Sequence, residues 1–110
     1  MTGWYELHRN EREQFYFYLR TGNGEIILKS ELYTSKSGAE NGIASVRHNC
    51  SLDVRYRRSR TPDGKVFFNL QAANYQIIGT SQIYSSEELR DRGITSVKEN
   101  GQSTIVKNLS

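Results

Sequence analysis

Phe15, Phe17 and Leu19 alternate with Tyr16, Tyr18 and Arg20, which predicts a strand over Gln14–Arg20 with one apolar face and one aromatic, basic face. Gly22-Asn23-Gly24 follows, and Asn-Gly predicts a hairpin because both residues tolerate positive φ. Glu25–Ser30 is the return strand, and its Ile26-Ile27-Leu28 run predicts burial on both faces. Trp4–His8 reads as a short strand, with Arg9–Glu13 a polar turn after it.

The period then changes. Between Thr34 and Asn49, Ala39, Gly42, Ile43 and Val46 fall at helical spacing, so one narrow stripe is buried. Leu89, Gly93, Ile94 and Val97 repeat that pattern between Ser85 and Asn100. Ser85 followed by Glu88 predicts a capping box, and Asn100-Gly101 predicts a left-handed helix stop. Leu52–Arg60 reads as a strand, Pro62-Asp63-Gly64 as a type I turn, Lys65–Gln71 as the next strand and Ser103–Leu109 as a short last one.

These elements come in two matching series. Gln14–Cys50 recurs as Lys65–Gly101 without gaps, offset by about 51 residues. Phe17/Phe68, Leu19/Leu70, Ser30/Ser81, Tyr33/Tyr84, Gly42/Gly93, Ile43/Ile94 and Val46/Val97 are among the identical pairs. Tyr5/Tyr56 obey the same offset, so Trp4–His8 and Arg55–Arg60 are equivalent first strands. What both copies keep serves the fold; what one copy alone has is drift or function. Gly42 and Gly93 sit on the apolar stripe, where a helical glycine costs about 1 kcal/mol relative to alanine. The expected compensation is a close approach of the helix backbone to a strand or to the other helix.

The order β-β-β-α-β-β-β-α-β predicts an α+β class: two tandem β-β-β-α repeats sharing an antiparallel sheet, a short C-terminal strand, and helices packed on the sheet. The chain of 110 residues suits one domain made of two repeats, about 4–51 and about 52–110.

The segments GWYEL, GNGEIILKSELYTSKSGAENGIASVR and FFNLQAANYQIIG resemble the YegP-like proteins, small bacterial proteins built from one or two copies of this unit. The resemblance spans essentially the whole chain. It implies a tandem α+β fold whose two three-stranded units join in one sheet, with a strand exchanged between halves. It implies that single-copy relatives dimerise to reach the same arrangement. It implies no activity and supplies no catalytic residues.

Composition narrows the rest. No apolar run approaches the roughly 20 residues of a membrane span, and MTGWYELHRN lacks the order of a signal peptide. One cysteine forms no internal disulfide, so a cytoplasmic protein is expected. The net charge of +3 concentrates in the connector, at Arg55, Arg57, Arg58 and Arg60. A solvated edge strand explains them without a partner. Strand alternation turns Arg55 and Arg57 away from Arg58 and Arg60, which weakens a single basic face.

Little in the chain points to catalysis. Gly22-Asn23-Gly24 leads into a strand, so it builds no phosphate cradle at a helix start. Two histidines and one cysteine, scattered, suggest no metal site. His48 and Cys50 stand close in sequence at a helix end, but the negative dipole end disfavours thiolate there, and a surface cysteine without catalytic role is expected. Glu87, Glu88 and Asp91 suit a helix start better than acid–base work. The better candidate is the face carrying Tyr16 and Tyr18, joined by Phe67 from the second copy.

The reading is therefore a non-enzymatic binding or interaction module, expected to be a monomer, with no cofactor implied. Its partner is open between a protein and weakly bound nucleic acid. The candidate surface for nucleic acid is Arg55, Arg57, Arg58, Arg60, Tyr16, Tyr18 and Phe67.

Overall fold

In the computed structural model, which describes residues 2–110, the strands are β1 (Trp4–Arg9), β2 (Phe15–Arg20), β3 (Ile26–Ser30), β4 (Tyr56–Arg60), β5 (Val66–Gln71), β6 (Ile77–Thr80) and β7 (Val106–Asn108). The helices are α1 (Lys36–Asn49) and α2 (Glu87–Asn100), with a 3₁₀ turn at Asp53–Arg55. All seven strands form one sheet in the order β4-β5-β6-β3-β2-β1-β7. Every pairing is antiparallel except that of β7, which lies parallel to β1. The protein is α+β, as its sequence predicts, with a mostly antiparallel sheet.

Both helices cover the same face. Tyr5, Phe17, Leu19, Leu28, Tyr56, Phe68 and Leu70 from the strands meet Ile43, Val46, Ile94 and Val97 from the helices. Pairs shared by the two segments acquire reasons here. Ser30 Oγ accepts from the Phe17 N–H and Ser81 Oγ from the Phe68 N–H, 2.8 and 3.0 Å. Tyr33 stacks on Phe17 and Tyr84 on Phe68. Those tyrosines lie over Gly42 and Gly93, so the close approach that the glycines permit is to a tyrosine ring rather than to another backbone.

At the sheet centre, β3 and β6 pair so that Lys29 faces Thr80, its own counterpart in the other segment. An approximate two-fold axis runs between them. Near it, counterparts touch each other, and both cannot be large. A Cβ on Gly79 would meet Leu28 Cγ at 2.7 Å, and a Cβ on Gly101 would meet Cys50 Sγ at 2.6 Å. In each pair one residue fills the space and its counterpart is glycine.

That crowding corrects two expectations. Gly101 is not a left-handed stop: its φ and ψ are −65° and −19°, and it is glycine because Cys50 leaves it no room. Cys50 is not on the surface but fully buried. Its thiol donates to the Arg47 carbonyl and accepts from Gln102, not from His48, and burial pushes its pKa up.

The helix starts need a smaller correction. Ser86, not Ser85, caps α2 by accepting from the Leu89 N–H, as Ser35 caps α1 through the Gly38 N–H. Tyr84 is hydrogen-bonded in both directions to Val66, which keeps the chain extended one residue longer.

The helix ends are tied to strands in matching ways. Tyr56 Oη donates to the Cys50 carbonyl at 2.6 Å, and Tyr5 Oη to the Gly101 carbonyl at 2.7 Å. Burial raises the pKa of both phenols, so both remain protonated donors.

Four turns share one design, in which the fourth residue donates back to the first and adopts positive φ. They end at Glu13 (59°), Gly24 (90°), Gly64 (85°) and Tyr75 (69°). Asn23 is therefore not left-handed; that conformation falls only on the next residue. A non-glycine residue there costs roughly 1–2 kcal/mol, partly offset by glycine's larger entropy loss. Tyr75 is 81% exposed and buries little in return. Tyr75→Gly should therefore raise stability by about 0.5–1 kcal/mol in urea denaturation. An unchanged or lower midpoint would refute this.

Candidate binding face

The helices leave one face of the sheet bare. On β1, Tyr5 and Leu7 point into the core, so Trp4, Glu6 and His8 occupy the bare side. On β2, Phe17 and Leu19 point inward, and Tyr16, Tyr18 and Arg20 outward. Register then joins them: Glu6 is opposite Tyr18, His8 opposite Tyr16 and Trp4 opposite Arg20.

Glu6 is the hub of this cluster. Only 8% of it is exposed, although it lies on the uncovered face. Its carboxylate accepts from Trp4 Nε1 at 2.9 Å and lies 3.2 Å from His8 Nε2. Arg20 Nε stands 2.8 Å from Glu6 Oε2, and the same guanidinium donates to the Gly24 carbonyl at 2.6 Å. Desolvation alone would raise the Glu6 pKa; the bonds from Trp4, Arg20 and His8 outweigh it and hold the carboxyl below its usual value. The ionised carboxylate offsets Arg20 and orients Trp4 and His8. His8 stacks on Tyr16 at 5.3 Å between centroids, and Tyr18 leans on both rings.

Two lysines border the rings. Lys107 Nζ lies 3.9 Å from the Trp4 ring centroid, and Lys29 Nζ 5.9 Å from that of Tyr18. Lys107 reaches the cluster only because β7 runs parallel to β1, opposite Glu6.

The expected site residues divide. Tyr16 and Tyr18 sit together on the bare face. Phe67 is on the same face but on β5, beyond β3 and β6 from β2, so it does not join them. Arg57 is exposed on the bare face, opposite Asn69. Arg58 and Arg60 face the helix side instead. Arg58 pairs with Asp91 and Asp53 at 3.4 and 3.5 Å, and Arg60 with Glu87 at 2.5 Å. Arg55 is not in a strand: it lies in the 3₁₀ turn and donates to Asn49 Oδ1 at 2.9 Å. Of the connector arginines, only Arg57 thus shares a face with the tyrosine strand, four strand steps away.

Sequence reasoning passed over Trp4, Glu6, His8, Lys29 and Lys107, and placed Arg20 on the outward face without giving it a role. A comparison of the two copies on the outward positions contains part of the signal. The second copy has Arg55, Arg57, Ser59, Asn69, Gln71 and Thr80 where the first has Trp4, Glu6, His8, Tyr18, Arg20 and Lys29. The inward positions change far less.

Two depressions lie elsewhere, each between a hairpin turn and a helix. One of about 510 Å³ includes Thr21, Glu25, Ser96 and Glu99; the other, about 310 Å³, includes Tyr33, Gly42, Gln76 and Ile78. Among the described residues, no hydroxyl in either is hydrogen-bonded to a histidine or a carboxylate. No helix among them is long and apolar enough to cross a membrane.

A sheet with both helices on one side, an aromatic cluster on the other and near-symmetric halves defines a small two-unit α+β protein. The chain belongs to the UPF0339 family, which includes the YegP proteins of enteric bacteria. The family described as "Domain of unknown function (DUF1508)" matches twice, at residues 10–56 and 62–107. The chain is 56% identical over 110 residues to a UPF0339 protein of Shewanella oneidensis, covering 100% of both. It is 55% identical over 107 residues to YegP of Escherichia coli, covering 97% of each. The solution NMR structure of a Shewanella oneidensis UPF0339 protein superposes with a TM-score of 0.93 at 57% identity, covering 99% of this chain and 92% of that one. The NMR structure of YegP from Escherichia coli gives 0.94 at 54% identity, covering 99% and 94%.

Proposed function

We propose that this protein is a non-catalytic cytoplasmic binding module, built from two β-β-β-α repeats in one chain, whose working surface is the helix-free face around Glu6. One observation carries the reading. The cluster Trp4, Glu6, His8, Tyr18, Arg20 is absent from the second copy, which folds the same way, so the fold does not require it. An ion pair largely withdrawn from water, oriented rings and bordering lysines on a bare face fit recognition. The depressions lack a paired nucleophile and base, which favours binding over catalysis. A single cysteine, which forms no internal disulfide, suits a reducing compartment.

A photo-crosslinking amino acid tests this in cells. Placed at Tyr18, it should give covalent adducts; placed at Arg92, exposed on α2, it should give few. Adducts from Arg92 alone, or from neither position, would overturn the proposal.

A further inference from the structure

One row of side chains crosses the whole bare face. Successive cross-strand partners run Lys107, Glu6, Tyr18, Lys29, Thr80, Asn69 and Arg57, one from each strand. Its cations are evenly placed. Lys107 on β7 and Lys29 on β3 are three strand steps apart, as are Lys29 and Arg57 on β4, about 14 Å each time. Among the described residues, no carboxylate lies within ion-pair range of Lys107, Lys29 or Arg57. This contrasts with Arg58, Arg60 and Lys98, all of which are paired. Glu6, the one carboxylate in the row, is held by Arg20 and His8. The row therefore presents three uncompensated positive charges over about 29 Å.

Beside it stand half-exposed rings. Trp4, His8, Tyr16 and Tyr18 occupy the β1–β2 part, with Phe67 near the β4 end. Spaced cations alone suit any polyanion. Cations interleaved with ring faces suit one whose repeating units carry flat aromatic groups, because bases stack on such rings whatever their identity. Cations lying against rings are also the contacts that a base and its phosphate can replace.

We propose that a single-stranded nucleic acid lies across the strands along the Lys107–Lys29–Arg57 row, its phosphates on those cations and its bases on Tyr18, Tyr16, His8 and Trp4. The proposal rests on the bare face being the working surface. It assigns the basic contacts to residues of three strands rather than to the arginine connector, of which only Arg57 takes part.

Trp4 is the only tryptophan and lies in the site, so its fluorescence reports occupancy. Oligo(U) and oligo(dT) of roughly 12 nucleotides should quench it saturably at low salt. Three phosphate contacts predict a log–log salt slope near −2 for a single strand. Lys29→Ala and Arg57→Ala, exposed and unpaired, should each bring that slope about 0.7 nearer zero, while Arg58→Ala and Arg60→Ala leave it unchanged. Tyr18→Ala should weaken binding at least about fivefold at constant slope. Poly-aspartate, which has the charge without bases, should bind far more weakly and ignore Tyr18. Absence of quenching at low salt would overturn the proposal, as would poly-aspartate binding as tightly as oligo(U). So would a slope governed by Arg58 and Arg60. If oligonucleotides fail while crosslinking from Tyr18 still yields adducts, the bare face remains the working surface and only its ligand is misassigned.

Discussion

Gly42→Leu and Gly93→Leu should each cost about 3 kcal/mol or more, lowering Tm by roughly 10–20 °C. The reason is steric. A Cβ on Gly42 would press on Tyr33 Oη and lie 2.8 Å from Tyr33 Cζ and 2.9 Å from Phe17 Cε2. Tyr33 cannot swing clear without giving up its stack on Phe17, and Phe17 is fully buried. At Gly93 the Cβ would meet Tyr84 Oη, with Cζ at 2.7 Å. Leucine's better helix propensity returns at most about 1 kcal/mol. Ala44→Leu, on the exposed side of α1, controls for the leucine itself and should change stability by less than about 0.5 kcal/mol. Thermal melts of the three variants decide the matter: full stability in both glycine variants would show that the tyrosines move aside at little cost.

The second expected result is a rescue. Leu28→Gly leaves a cavity beside the two-fold axis and should cost about 3–5 kcal/mol. Gly79→Leu drives a second side chain into Leu28, whose Cγ and Cδ2 would be 2.7 and 2.8 Å from the new Cβ, and should cost at least about 2 kcal/mol. Leu28→Gly with Gly79→Leu moves the same side chain to the other side of the axis, into the space just vacated. The double variant should recover at least half of the summed loss, a coupling of about 2.5 kcal/mol or more. Urea denaturation of all four proteins measures it. Simple additivity would mean that the two positions do not share one space and that the symmetry there is only approximate in sequence.

Much of this architecture is legible in the sequence because period and turn chemistry are local. Alternation from Phe15 to Arg20 and helical spacing from Ala39 to Val46 mark elements correctly, and the offset between copies orders them. Errors arose where a distant partner decides. Gly101 looks like a left-handed stop, but Cys50 dictates its size from across the axis. Ser85 looks like a cap until Tyr84 is seen paired with Val66. Arg55 continues a basic strand on paper, yet Asn49 draws it into a turn. Tyr16 and Tyr18 were readable as an outward face. Phe67 could not be excluded from their patch without the strand order, nor Lys107 included without the parallel pairing of β7.

The matched ties from Tyr56 to Cys50 and from Tyr5 to Gly101 bear on how the chain is threaded. Residues 51–55 carry the backbone from the end of α1 to Tyr56; a linker of the same kind would carry it from the end of α2 to Tyr5. In space the molecule is a closed circuit of six strands and two helices, opened at one of two equivalent joints. The opening falls between β1 and β7, and β7 lies one strand outward because β1 already occupies the seat. Circular permutation, with new ends at 51–55 and a linker from Gly101 to Tyr5, would shift the opening to the other joint and leave the core unchanged.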